Sequence, residues 1–171
     1  MACLMTISGI PAQCDINLSG VKKVYLADWN NVADVSVGNT GTISAITMEA
    51  SAKFAEYVPA KNTGALTKTL TKNESTGTMY YTNEITMNFN KMNQEKRAEL
   101  NELAKGQIAA IVEDANGILW YLGMDNYATA SVVTGQTGAG IDDGNFYSIT
   151  ITDYSSELPY VVDAGVLTNL V

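Results

Sequence analysis

Residues 65–90 read ALTKTLTKNESTGTMYYTNEITMNFN, and the reading of this stretch decides the fold. In its first part Leu66, Lys68, Leu70 and Lys72 fall on one face of an extended chain and Thr67, Thr69 and Thr71 on the other, because successive side chains of a strand point to opposite sides. One face thus mixes long cations with leucines. Asn73 to Gly77, NESTG, is rich in turn formers and reverses the chain. Behind it Ile85, Met87 and Phe89 alternate with Glu84, Thr86, Asn88 and Asn90, the period of a strand with one buried face. The two halves predict a long β-hairpin.

The same period recurs on either side. Upstream, VKKVYLAD (21–28) reads as a strand ending in a polar loop at Trp29-Asn30-Asn31. TISAITM (42–48) places Ile43, Ala45 and Thr47 on one face and Ile46 and Met48 on the other, and KFAEYV (53–58) is stopped by Pro59. Downstream, NQEKRAELNELAKG breaks the pattern. Asn93 is an N-cap, Glu95 lies in the first turn, Leu100, Leu103 and Ala104 form one narrow stripe, and Gly106 follows Lys105 as a stop. This predicts one helix over about residues 93–105, docked through that stripe.

Strands then resume in QIAAIVED (107–114) and ILWYLG (118–123), joined at Asn116-Gly117, which predicts a type I′ turn with both central residues at positive φ. YATASVVT (127–134) follows, then TGQTGAGIDDGN (134–145). In NFYSITIT, Phe146, Ser148, Thr150 and Thr152 face one way and Tyr147, Ile149 and Ile151 the other. ELPYVVDAGVLTNLV is apolar enough to pair or dock but has no clear period. With no repeat or linker, the 171 residues read as one domain, 1–171, mainly β in class.

Composition excludes several functions. The charged fraction is 16%, against about 25% in ordinary soluble domains, so much of the surface is uncharged Thr, Ser, Asn and Gly. Such a surface suits self-association, because interface cores are depleted of charge. The net charge of −8 and the absence of a basic patch argue against gripping nucleic acid, although an acidic wall lets DNA slide past. With no histidine, Ser-His-Asp and Cys-His catalysis and imidazole metal ligation are ruled out. Cys3 and Cys14 have neither zinc nor redox spacing and read as free thiols, a disulfide closing an N-terminal loop being the alternative. MACLMTISGIPAQCDINLSG lacks the basic and long apolar regions of a signal peptide, and no run approaches the length of a membrane span. Synthesis and assembly in a cytoplasm, without a membrane partner, are expected.

The candidate sites reduce to ordinary structure. Gly135 and Gly140 have the P-loop separation but are followed by Ile141-Asp142 in place of Lys-Ser/Thr, and by a strand in place of the helix whose N-terminus holds a phosphate. Asp142, Asp143 and Asn145 lie too close together to surround calcium, so the segment reads as a flexible connection between strands. Tyr80-Tyr81 and Trp120-Tyr121 each place only one ring on a given face, giving one core and one interfacial aromatic per pair rather than a sugar platform. Glu49, Glu56, Glu84 and Glu113 offer no distinguished pair for glycoside hydrolysis. No catalytic, cofactor-binding or metal residue is assigned, and no enzyme activity is expected.

Several strands, one mid-chain helix, then more strands around a long glycine-rich loop is an order that resembles the tail tube proteins of tailed bacteriophages and their relatives in contractile injection systems. The stretches that carry it are TMYYTNEITMNFN, NQEKRAELNELAKG and IAAIVEDANGILWYLG, followed by GIDDGNFYSITITDYSSELPYVV. The V-x-D-x-N-G step and the late Pro-Tyr are similar to structural proteins of phages of Bacteroides-type bacteria, over about the C-terminal half. The resemblance implies a small β-barrel or orthogonal β-sandwich with one flanking helix, and a homo-oligomeric ring in the virion's tail or neck. Such a ring meets neighbouring tail proteins and passes DNA through its lumen without specific binding. Its arms would be the 65–90 hairpin and the 134–145 loop. The N-terminus with its two cysteines has no counterpart in the family. A capsid decoration or fibre-base protein, and a carbohydrate-binding β-sandwich, are the alternatives.

Overall fold

The computed structural model describes residues 9–12 and 14–171. The elements are β1 (Val21–Asp28), a single 3-10 turn (Trp29–Asn31), β2 (Val32–Val37), β3 (Thr42–Met48), β4 (Ala55–Tyr57), β5 (Ala65–Asn73) and β6 (Thr78–Asn90). After α1 (Gln94–Leu103) come β7 (Ile108–Asp114), β8 (Leu119–Leu122), β9 (Thr129–Gln136), β10 (Phe146–Ser155), β11 (Val161–Val162) and α2 (Ala164–Leu167). They build a seven-stranded sheet, β2-β3-β11-β8-β7-β1-β4, and a four-stranded sheet, β5-β6-β10-β9. Among the described residues no ladder joins an edge of one sheet to the other, so of the two architectures expected they form a β-rich sandwich and not a closed barrel.

Burial explains the layering. Val24, Leu26, Ile108, Ala110, Val112 and Leu122 of the larger sheet pack against Ile85, Met87, Ile149 and Ile151 of the smaller one, with Leu100 of α1 at the margin. Tyr25, Ala109, Ile111 and Tyr121 point to the opposite face of the larger sheet, where Ile43, Phe54, Val162 and Leu170 cover them. β7 is therefore buried on both faces, which is why IAAIV is a continuous apolar run rather than an alternation. The aperiodic last stretch both pairs and docks. β11 runs parallel to β3 and antiparallel to β8, and the Leu170 carbonyl accepts from the Phe54 amide at 2.8 Å.

The 65–90 hairpin forms over the residues predicted, with Leu66 opposite Ile85 and Asn73 opposite Thr78. α1 also forms: Asn93 Oδ1 accepts from Lys96 N at 2.9 Å. Its stripe is narrower than expected, because Leu100 is buried, Leu103 half-buried and Ala104 exposed. Gly106 does not enter the left-handed region. The helix instead unwinds through a tight turn in which Lys105 N donates to Glu102 O and Gly106 N to Leu103 O.

Four further expectations are corrected. Asn116-Gly117 is not a type I′ turn, since Gly117 alone has positive φ (82°); Asp114 Oδ1 accepts from the amides of Asn116 and Ile118, and a three-residue loop with a left-handed glycine results. β2 has no counterpart in the sequence reading, where only a loop follows Trp29; Ala33, Val35 and Val37 do alternate with Asp34 and Ser36, but register shifts interrupt its ladder to β3. Those shifts also bring Ile43 and Ile46 into one cluster instead of onto opposite faces. A second helix, α2, is short and capped by Asp163, whose Oδ1 accepts from Gly165 N. The pairing of Cys3 with Cys14 lies outside the described residues, because Cys3 is not among them; Cys14 is a free, exposed thiol.

One buried polar pair interrupts the core. Asn83 and Asp153 lie directly opposite each other on β6 and β10, and Asn83 Nδ2 donates to Asp153 Oδ2 at 3.0 Å and to Ser155 Oγ at 2.9 Å. Among the described residues, neither Asn83 Oδ1 nor Asp153 Oδ1 has a partner. Burial pushes the Asp153 carboxyl above its ordinary value. Its folded state thus holds the proton more tightly than the unfolded chain, so this group lowers stability as pH rises through the raised value.

Two outcomes follow for stability. Leu100→Ala is expected to cost about 2–4 kcal/mol in chemical denaturation, and Leu103→Ala clearly less. Asp153→Asn keeps an acceptor for Asn83 Nδ2 and offers a donor to Asn83 Oδ1. It is expected to raise stability at pH 7 by about 1 kcal/mol and to flatten its decline above pH 4, measured by thermal melts across pH.

Candidate assembly interface

The smaller sheet has two edges, and sequence builds each differently. β10 pairs with β6 only as far as Ser155 opposite Tyr81, whereas β5 and β6 continue to Asn73 and Thr78. Beyond Tyr81 the hairpin is a two-stranded ribbon. On the face that continues the core, Lys68, Leu70 and Lys72 of β5 oppose Asn83, Tyr81 and Met79 of β6. Leu70 and Met79 are exposed, since no second sheet reaches them.

The base of the ribbon is fastened by the lysine that shares a face with the leucines. Lys68 Nζ sits 2.9 Å above the centroid of the Trp120 ring, and Trp120 Nε1 donates to Asp114 Oδ2 at 3.1 Å. The ring face attracts the ammonium. Burial pushes Lys68 down to about 8, opposed by the Asp114 carboxylate. On the outer face Tyr80 meets Tyr154 edge to face, at 5.9 Å between centroids.

At the other edge β9 is exposed over most of its length, with Val132 at 51% and Val133 at 39%. TASVVTGQ contains no charge and no proline, the usual guards of a free edge. Among the described residues no hydrogen bond reaches the outward amides and carbonyls of residues 130–136. β9 runs two residues beyond the predicted end at Thr134, so Gly135 and Gln136 belong to a strand rather than to the glycine loop. Gly135 is required there by close approach, as a Cβ would stand 2.8 Å from the Tyr147 ring.

The remaining loop, 137–145, is bonded to itself. Asp143 Oδ2 accepts from Ala139 N at 2.8 Å and Gly140 N at 2.6 Å, and these amides hold the carboxyl below its ordinary value. The two N–H groups that a phosphate cradle would need are turned onto this aspartate. Asn145 ties the loop down, its Oδ1 accepting from Met92 N. The segment is thus a closed turn, not a slack connection, with Ile141 fully exposed at its tip.

Of the other sequence candidates, Glu56 and Glu113 flank β1 on one face, Glu56 bonded to Lys23 and Glu113 to Lys22 and Tyr25, while Glu49 and Glu84 are exposed. Among the described residues no three Asp, Glu, Cys or His side chains converge. Tyr121 is buried, and Trp120 packs on the inter-sheet core, so both members of that pair are core rings; Tyr80 and Tyr81 are each half-buried. An open cleft of about 460 Å³ runs between α1 and β1–β4, and its Glu99 is engaged by the Tyr57 hydroxyl. No helix among the described residues is long and apolar enough to cross a membrane.

No family model, no curated protein and no solved structure matches this chain.

Asp143→Ala is expected to speed hydrogen exchange at Ala139 and Gly140 while leaving the melting temperature unchanged. In the native protein the same protection is present at neutral pH and fades as pH falls through the depressed value of Asp143.

Proposed function

We propose that this chain is a structural virion protein of a tailed bacteriophage, a subunit that closes with its copies into a ring of the tail tube or neck. The observation that carries the reading is the smaller sheet with both edges open: a ribbon projecting past its partner strand on one side, and an uncharged eight-residue strand on the other. An unpaired edge is a template for another strand. The two edges differ and lie on opposite sides of the sheet, so copy-to-copy contact is head to tail, which closes into a ring when the rotation permits. The low charge content suits a surface spent on contacts, and a net charge of −8 suits a lumen wall that DNA passes without adhering. The subunit is a wall element rather than an enzyme, and its partners are its own copies and the adjoining tail proteins.

Light scattering and negative-stain images of the purified protein test this. Closed rings or stacked tubes are expected. The double variant Val132→Lys, Thr134→Lys, on the face turned away from Ile149, is expected to melt like the parent and remain monomeric. A parent that stays monomeric at high concentration and shifts its melting temperature with glycans would establish the carbohydrate-binding alternative. Binding only to assembled capsids would establish a decoration protein.

A further inference from the structure

Residues 10–18 read IPAQCDINL. Ile10, Ala12, Cys14, Ile16 and Leu18 occupy one parity, and Pro11, Gln13, Asp15 and Asn17 the other. This is the period of a strand with one buried face, kept over nine residues. None of the described residues of the segment belongs to a strand, however, and Ile10 is 98% and Ile16 88% exposed. A sequence patterned for a half-buried strand has its described residues exposed on both sides.

The segment is anchored at one end. Asn116, in the turn between β7 and β8, accepts from Leu18 N at 2.8 Å and donates to Asn17 Oδ1 at 2.9 Å and Leu18 O at 3.0 Å. Leu18 lies beside Ala65, Leu66 and Lys68, on the β5 side of the smaller sheet. The open β9 is on the far side of that sheet, three strand spacings or about 14 Å away. Nine extended residues span about 30 Å, so much of that reach would be used in crossing the subunit's own sheet before the first hydrogen bond formed. The β9 of a subunit set beside the anchor needs no such crossing.

Among the described residues, β9 is also the edge best suited to receive it. β4 has three residues, β2 carries Asp34 and two register shifts, and β5 carries Lys72, paired with Glu74. β9 offers eight uncharged residues against the nine of the segment. Laid along β9, the apolar parity extends the inter-sheet core past Val133, which faces inward opposite Ile149, and the polar parity joins the threonine-rich outer surface. Pro11 falls near one end of the added strand, which is itself then an edge and tolerates a missing N–H.

We propose that residues 10–18 of one copy add as a strand to the open edge of β9 in the next copy. The inference rests on the ring reading and names the contact that closes the ring. Three full-length proteins test it: the parent, the double variant Ile10→Asp, Ile16→Asp on the apolar parity, and Asp15→Lys on the polar parity. Melting temperature, assembly by light scattering, and hydrogen exchange at Ser131–Gln136 are measured for each. The apolar-parity variant is expected to melt like the parent and to need about tenfold or more higher concentration to assemble, with Asp15→Lys close to the parent. Amides of β9 are expected to slow in the assembled parent and stay fast in the apolar-parity variant. If that variant assembles like the parent, the inference falls and the ring reading stands. If assembly is lost but β9 amides exchange equally in assembled and monomeric protein, β9 is not the acceptor and the inference again falls. A parent that never assembles removes both.

Discussion

Burial of β7 on both faces is the constraint on which the rest depends. Ile108, Ala110 and Val112 hold the smaller sheet, while Ala109 and Ile111 hold the covering of β3, β11 and the last residues of the chain. Because the two clusters share one backbone, a change that tilts β7 disturbs both. Small side chains at Ala109 and Ala110 let the layers approach closely at its centre, and Gly123 faces the same region, where a Cβ would meet the Ile108 carbonyl at 3.3 Å. The smaller sheet is therefore attached by a single face. Its far ends, the ribbon and β9, extend beyond that support.

Sequence pattern made the parts with one wet face legible. β5, β6 and α1 lie where periodicity and the Asn93 cap put them, and β1 and β3 keep their expected bounds, although β1 is buried on both faces at its centre and a register shift changes the faces of β3. What escaped has physical reasons. β2 is weakly marked because its ladder is interrupted, and β9 overruns its expected end because Gly135 answers to the Tyr147 ring rather than to a turn. The Asn116-Gly117 step has the composition of one turn and the geometry of another, because the Asp114 carboxylate takes two of its amides and Asn116 is used as a clamp on a distant segment. Turn chemistry read from two residues cannot register a backbone carbonyl 98 positions away.

Of the proposed interface, the 65–90 hairpin was visible in the sequence and the β9 edge was not. The hairpin advertises itself by length. An open edge is defined by what fails to pair with it, and pairing is a property of the whole sheet. The glycine loop, conspicuous in composition, is satisfied by its own Asp143, while the neighbouring strand, plain in composition, is left unmet.

The clamp at Asn116 has a chemical lifetime. An asparagine followed by glycine is the pair most prone to cyclise onto the next backbone nitrogen and lose ammonia, since glycine offers no side chain to block the attack. Two features restrain this: Nδ2 is held by two acceptors, and Gly117 N is engaged with the Asp114 carbonyl at 3.0 Å. Were the amide lost, a carboxylate would face the Leu18 carbonyl where a donor had been, and the clamp would keep only its bond from Leu18 N.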